Sequence, residues 1–215
     1  MSMSKARGAL LLLCLPALLL LAACGGSTSR GPQEATGLAY VDPQGTGWRL
    51  VRDATSTPTR LVLNLVGPGG TTCRGVGFNL QAGAQVRFTT FDNGWHANPT
   101  GVFELKTVVV DPDNPPATPE PTFFAAGVKP GNLLTVGIFQ KDRRATAKAV
   151  TAPVVRIALE LDPAAALKAG DPLPLAVAKA RILPADIGDL SSYADVISKS
   201  RLTDIPVAVG TLSAQ

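Results

Sequence analysis

Glycine and proline punctuate this chain more heavily than any other feature, with 21 and 18 of its 215 residues. Those 39 positions are about 18% of the chain against a usual ~12%, and they leave few stretches long enough for a packed helix. Between them lie short runs rich in Val, Leu and Phe, separated by Gly, Pro, Asn and Asp clusters. With 46% apolar residues the chain is too hydrophobic to stay disordered. Short apolar runs at close spacing, bounded by turn residues, predict an all-β sandwich of about nine strands in a single domain.

The expected strands are Trp48 to Val51, Arg60 to Val66, Val76 to Leu80, Gln85 to Thr90 and Val102 to Val110, then Thr122 to Ala126, Leu133 to Gln140, Val154 to Leu161, Leu173 to Leu183 and Pro206 to Leu212. Gln81 to Ala84 reads as a hairpin connection. The core is expected to draw on Leu61, Leu63, Phe78, Leu80, Val86, Phe88, Val136, Ile138, Ile157, Leu159, Leu175 and Val177. One or two short helical turns are expected, at Asp162 to Gly170 and from Ser191 through Ile197. Asp111 to Pro121 holds five prolines, which cannot donate to a ladder, and reads as a surface loop.

The first 23 residues have a basic start at Lys5 and Arg7, a 13-residue apolar run from Ala9 to Leu21, and small residues before Cys24. This is the layout of a secretory signal, and the run is short of the ~20 helical residues that a bilayer core requires. Leu21-Ala22-Ala23-Cys24 resembles the lipobox of bacterial lipoproteins. That resemblance implies lipidation of the Cys24 thiol, removal of residues 1–23, and a lipid anchor in the cell envelope. Gly25 in place of an Asp retention signal implies the outer membrane. Residues 24–36, with the polar stretch GGSTSRGPQEAT from Gly25 to Thr36, read as a flexible tether, and 37–215 as the folded domain.

Lys plus Arg exceed Asp plus Glu by four over the whole chain and by two once Lys5 and Arg7 are removed, so charge gives no support for nucleic-acid binding. Cys14 leaves with the signal and Cys24 takes the lipid. Cys73 is then alone, and a small buried hydrophobe is favoured over an exposed reactive thiol.

The order of Gly75-Val76-Gly77-Phe78-Asn79-Leu80, Gly131 to Phe139, Val154 to Leu161, Gly170 to Leu175 and Val209 to Leu212 resembles the cohesin-like β-sandwiches over roughly Leu38 to Ser213. The resemblance implies a two-sheet jelly roll of about nine strands, shared with some carbohydrate-binding modules. It also implies a non-catalytic module that binds a protein partner or a polysaccharide. A structural or assembly lipoprotein of an envelope complex is the alternative. The chain carries no tandem copies and no enzyme, which sets it apart from the dockerin-binding members.

No catalytic constellation is legible. His96 is the single histidine, sits in the turn-rich Asp92 to Pro99, and has no G-x-S-x-G nucleophile to serve. A zinc site would lack a second imidazole, and neither a metal nor a cofactor is expected. Asp111-Pro112-Asp113-Asn114 could offer oxygen to calcium, but an Asx-type turn is favoured. Lys141 to Arg144 reads as a hairpin tip. The ligand-binding candidates are Trp95, His96 and Trp48, with Tyr40 beside them. An exposed indole could stack on a sugar or anchor a protein, while end-capping competes for Trp95 and the core for Trp48.

Overall fold

The computed structural model describes residues 33–103, 122–140, 146–186 and 201–215. The described residues form an all-β sandwich. Its strands are β1 (Leu38–Val41), β2 (Arg49–Arg52), β3 (Leu61–Val66), β4 (Thr72–Ala82), β5 (Val86–Thr89), β6 (Ala97–Pro99) and β7 (Thr122–Lys129), followed by β8 (Leu133–Gln140), β9 (Lys148–Ala149), β10 (Val155–Leu161), β11 (Pro172–Leu173), β12 (Leu175–Pro184), β13 (Thr203–Asp204) and β14 (Thr211–Ala214).

The larger sheet runs β13-β12-β4-β8-β7, with β9 also on β4, and the second runs β2-β3-β10-β5, with β6 also on β10. A small sheet, β1-β14-β11, joins the two ends of the domain. Every pairing between these strands is antiparallel. Alternation sets what each face shows. On β4, Val76, Phe78 and Leu80 turn inward to meet Leu63, Leu65, Ile157 and Leu159 of the other sheet's inner face, and all are buried. Ten of the twelve expected core residues are buried, whereas Leu175 and Val177 are only partly so. They lie on the half of β12 that β13 does not flank, since β13 pairs only with Arg181 and Ile182.

Five segments differ from the sequence reading. Gln81 to Ala84 is a crossover between sheets and not a hairpin, because β4 pairs in one sheet and β5 in the other. Asn132, at φ 59°, fastens that crossover by donating from Nδ2 to the carbonyls of Gly83 (2.8 Å) and Val86 (2.6 Å). The strand expected over Leu173 to Leu183 changes sheet at Pro174, which has no N–H for a ladder and whose carbonyl accepts from Gly83 N at 2.9 Å. Asp162 to Gly170 is a turn without a helix: the Asp162 side chain accepts from Ala164 N at 2.8 Å and competes with helical bonding. Of Val102 to Val110, the described part is a 3-10 turn at Gly101–Phe103; residues 104–110 lie outside the described residues, as do Asp111 to Pro121 and the Ser191 to Ile197 helix. The last strand begins at Thr211, and within the expected Pro206 to Leu212 only a bridge between Ala208 and Arg49 precedes it.

Backbone pairing among the described residues also begins before residue 37, at Gln33, whose carbonyl accepts from Ala169 N at 3.0 Å. Ala35 N donates to Leu167 O (2.9 Å) and Thr36 N to Gln215 O (2.7 Å), so the last residues assigned to the tether are part of the sandwich.

Two buried acids make the fold sensitive to alkali. Burial pushes Tyr40 up to about 12 and Cys73 up to about 11 from ordinary values of 10.0 and 9.0. Each group holds its proton more tightly when folded, so its contribution is complete below the unfolded value and is lost as pH rises through the folded one. We expect a flat stability profile from neutral pH to pH 9 and a fall between pH 9 and 12, Tyr40 accounting for about 3 kcal/mol at the upper end. Urea unfolding against pH checks this, and Tyr40→Phe should flatten the upper part of the fall. The same burial keeps the Cys73 thiol protonated and unreactive.

Candidate functional site

The site is built from the outward face of the larger sheet. Alternation on β4 puts Gly75, Gly77 and Asn79 outward, and the register sets them against Phe139, Gly137 and Thr135 on β8. On β7 the matching row is Phe123, Ala125 and Gly127. A run of glycines on one face leaves bare backbone, and the Phe139 ring fills part of it: a Cβ on Gly77 or on Gly137 would stand 3.2 Å from that ring. What remains is an open groove of about 620 Å³, floored by Gly77, Gly137 and Ala125.

Its walls are apolar and aromatic and its margin is basic. Phe123 (41% exposed), Val128 (38%) and Trp95 (44%) line it, and they are three of the four exposed large hydrophobics among the described residues. Lys129, Lys179 and Arg181 are also in the lining, whereas no carboxylate of the described residues is. Arg181 Nε is held by Asp204 Oδ1 at 2.6 Å, in a pair that solvent screens. Asn79 and Thr135 supply the few polar side chains of the floor.

Trp95 reaches the groove from the tip of the Asp92–His96 turn. That turn closes through Phe91 N to Trp95 O (2.9 Å) and Trp95 N to Asn93 Oδ1 (2.9 Å), with Gly94 in the left-handed region at φ 77°. The indole meets the Phe124 ring edge-on, centroids 5.6 Å apart, which fixes its position at the groove's edge. His96, one residue on, is partly buried and is not in the lining. Trp48 must be corrected as a ligand candidate: at 6% exposure it belongs to the core, on the strand-edge backbone where Ala208 N donates to Trp48 O (2.8 Å), and it has no face to offer. Tyr40 is likewise buried, its hydroxyl donating to Leu50 O (3.0 Å) and accepting from Gly210 N (2.6 Å).

Phe123 is a lining residue that sequence reasoning misses. Its signal is nonetheless present in Phe123-Phe124: adjacent residues of a strand face opposite ways, so one of two neighbouring Phe residues has to point away from the core. Cys24, Asp111 to Asn114 and Lys141 to Arg144 lie outside the described residues. Among the described residues no three His, Cys, Asp or Glu side chains come together.

No protein-family model matches the chain. No curated protein matches it either. Among solved structures it is similar to a cohesin module from a family 33 glycoside hydrolase of Clostridium perfringens ATCC13124, over 81% of this chain and 98% of that one, with 7% identity and a TM-score of 0.37. The assignment as an all-β sandwich rests on the strand pairing itself.

Proposed function

We infer that the protein is a lipid-anchored module of the bacterial cell envelope, attached through Cys24, whose sandwich holds a partner against the groove on its larger sheet without chemical turnover. The observation that carries this is that Trp95, Phe123 and Val128, all exposed, line one open groove. Exposed apolar patches rimmed by polar residues mark interaction sites, and aromatic anchors beside arginine supply most of the binding energy in such sites. The cohesin-like order of strand motifs in the sequence points to the same kind of module.

Of the two ligand classes expected, a protein partner suits the groove better than a polysaccharide. A glycan's buried hydroxyls each need a hydrogen-bond partner, and the side chains of the floor offer little beyond Asn79 and Thr135. An assembly role in an envelope complex would use the same face. Phe123→Asp places a charge in the groove and leaves the core side of β7 untouched. It should weaken capture of a defined envelope partner by about 2 kcal/mol or more, roughly thirtyfold, in a pull-down quantified against the unmodified protein. Equal capture by both proteins would refute the groove as the binding face, and enrichment of glycans alone on an array would replace the protein partner by a polysaccharide.

A further inference from the structure

A second concavity, of about 640 Å³, lies on the outward face of the other sheet, away from the aromatic groove. Asn64 on β3 and Arg156 on β10 are direct cross-strand partners there, and alternation turns both away from the core, since Leu63, Leu65, Val155 and Ile157 point inward. Asn64 is only 7% exposed. Its Nδ2 donates to Asp53 Oδ2 at 2.7 Å, but its Oδ1 has no partner, and neither has Arg156 Nε.

The other polar groups around them are occupied. Asp53 Oδ1 accepts from Thr55 N (2.8 Å) and Thr55 Oγ1 (2.6 Å). Thr100 Oγ1 donates to the carbonyls of Pro153 and Val154. With the Asn98 amide oriented to accept, Arg156 Nη2 donates to it at 3.2 Å. Burial alone would raise the Asp53 carboxyl, but hydrogen bonds from Thr55 and Asn64, with the Arg156 charge, outweigh it and hold the carboxyl below its ordinary value. The carboxylate and the guanidinium thus balance, and the concavity carries no excess of either sign. Pro99, Val102, Ala152 and Pro153 make the remaining wall largely apolar.

A buried donor and a buried acceptor, unpaired on two residues that are direct cross-strand partners, are costly until something satisfies them. A hydroxyl does both at one atom, accepting through a lone pair and donating its proton. The volume is in the range of small-ligand sites, about 300–1,000 Å³. We propose that this concavity binds an uncharged sugar ring, one hydroxyl accepting from Arg156 Nε–H and donating to Asn64 Oδ1, with the C–H face of the ring against Pro99, Val102 and Pro153. This site is independent of the groove, so either can fail alone.

The test is a titration of purified full-length protein in detergent micelles with methyl glucoside, methyl galactoside and methyl mannoside, followed by the NMR signals of the Asn64 side-chain amide and Arg156 Nε–H. At least one neutral glycoside should shift both signals saturably. Glucuronate, glucosamine and glycerol should bind at least tenfold more weakly. Asn64→Leu should abolish the shift at Arg156. If that variant does not fold, Gly101→Leu decides: Gly101 lines the concavity and a Cβ there meets nothing within 4 Å, so Leu adds bulk at the wall without straining the fold, and binding should fall at least tenfold. The proposal is overturned if no glycoside moves either signal at up to about 50 mM, well above the millimolar range of weak ligands. It is equally overturned if the charged sugars or glycerol bind as well as the neutral glycosides, or if Gly101→Leu binds like the unmodified protein.

Discussion

Gly210→Ala is expected to destabilise the domain severely for a single added methyl, lowering its melting temperature by about 6–12 °C. A Cβ at this position would stand 1.9 Å from the Val41 carbonyl oxygen and 2.8 Å from Tyr40 Cζ. The first obstacle is backbone, so no rotamer change relieves it. Relief requires β1 to move off β14, and with it the Tyr40 hydroxyl that links Gly210 N to Leu50 O. Overpacking costs about 1–3 kcal/mol where side chains can yield, and at Gly210 the cost should reach the top of that range or pass it. Thermal unfolding followed by circular dichroism checks the value. Gly101→Ala, with open space around its Cβ, serves as the control and should change little. An unchanged melting temperature in Gly210→Ala would contradict the closure of β1 on β14.

Cys24→Ser is expected to move the protein from the membrane fraction to the soluble one. Each buried methylene contributes about 0.8 kcal/mol, one acyl chain anchors only marginally, and more than one anchors durably. On the proposed anchoring, losing the Cys24 thiol therefore changes partitioning by orders of magnitude. Fractionation of cells carrying either form, with the mass of the amino-terminal peptide, checks both halves of the expectation. Equal pelleting of the two forms, or an unmodified Cys24 in the native protein, would rule out the lipid anchor.

The sandwich is legible in the sequence because its signal is local. Leu61 to Val66 and Val155 to Leu161 are short apolar runs between turn residues, and they pair with each other in one sheet over the core. What the residues alone do not show is which sheet each strand joins. Gln81 to Ala84 has the composition of a hairpin, yet the chain leaves one sheet there for the other, and the Asn132 side chain and the Pro174 carbonyl, both distant in sequence, help to hold it in that path. β1 escapes a local reading because Leu38–Val41 is four residues long and forms by pairing with the far end of the chain.

The site divides in the same way. Trp95 is a candidate from its place in a Gly- and Asn-rich turn, and it does reach the groove. Trp48 has equal chemistry but stands where the parallel bridge between Arg49 and Ala208 closes over the core. Phe123, Gly77 and Gly137 form one surface only after three strands are placed in register, information that no single segment contains.

The most direct measurement places a photo-crosslinking residue at Phe123 and, separately, at Val41, which is 67% exposed and is not in the groove lining, in cells that express the protein. Position 123 should yield a discrete adduct with one envelope partner and position 41 none. Adducts from both positions alike, or from 41 and not from 123, would contradict a partner held on the larger sheet.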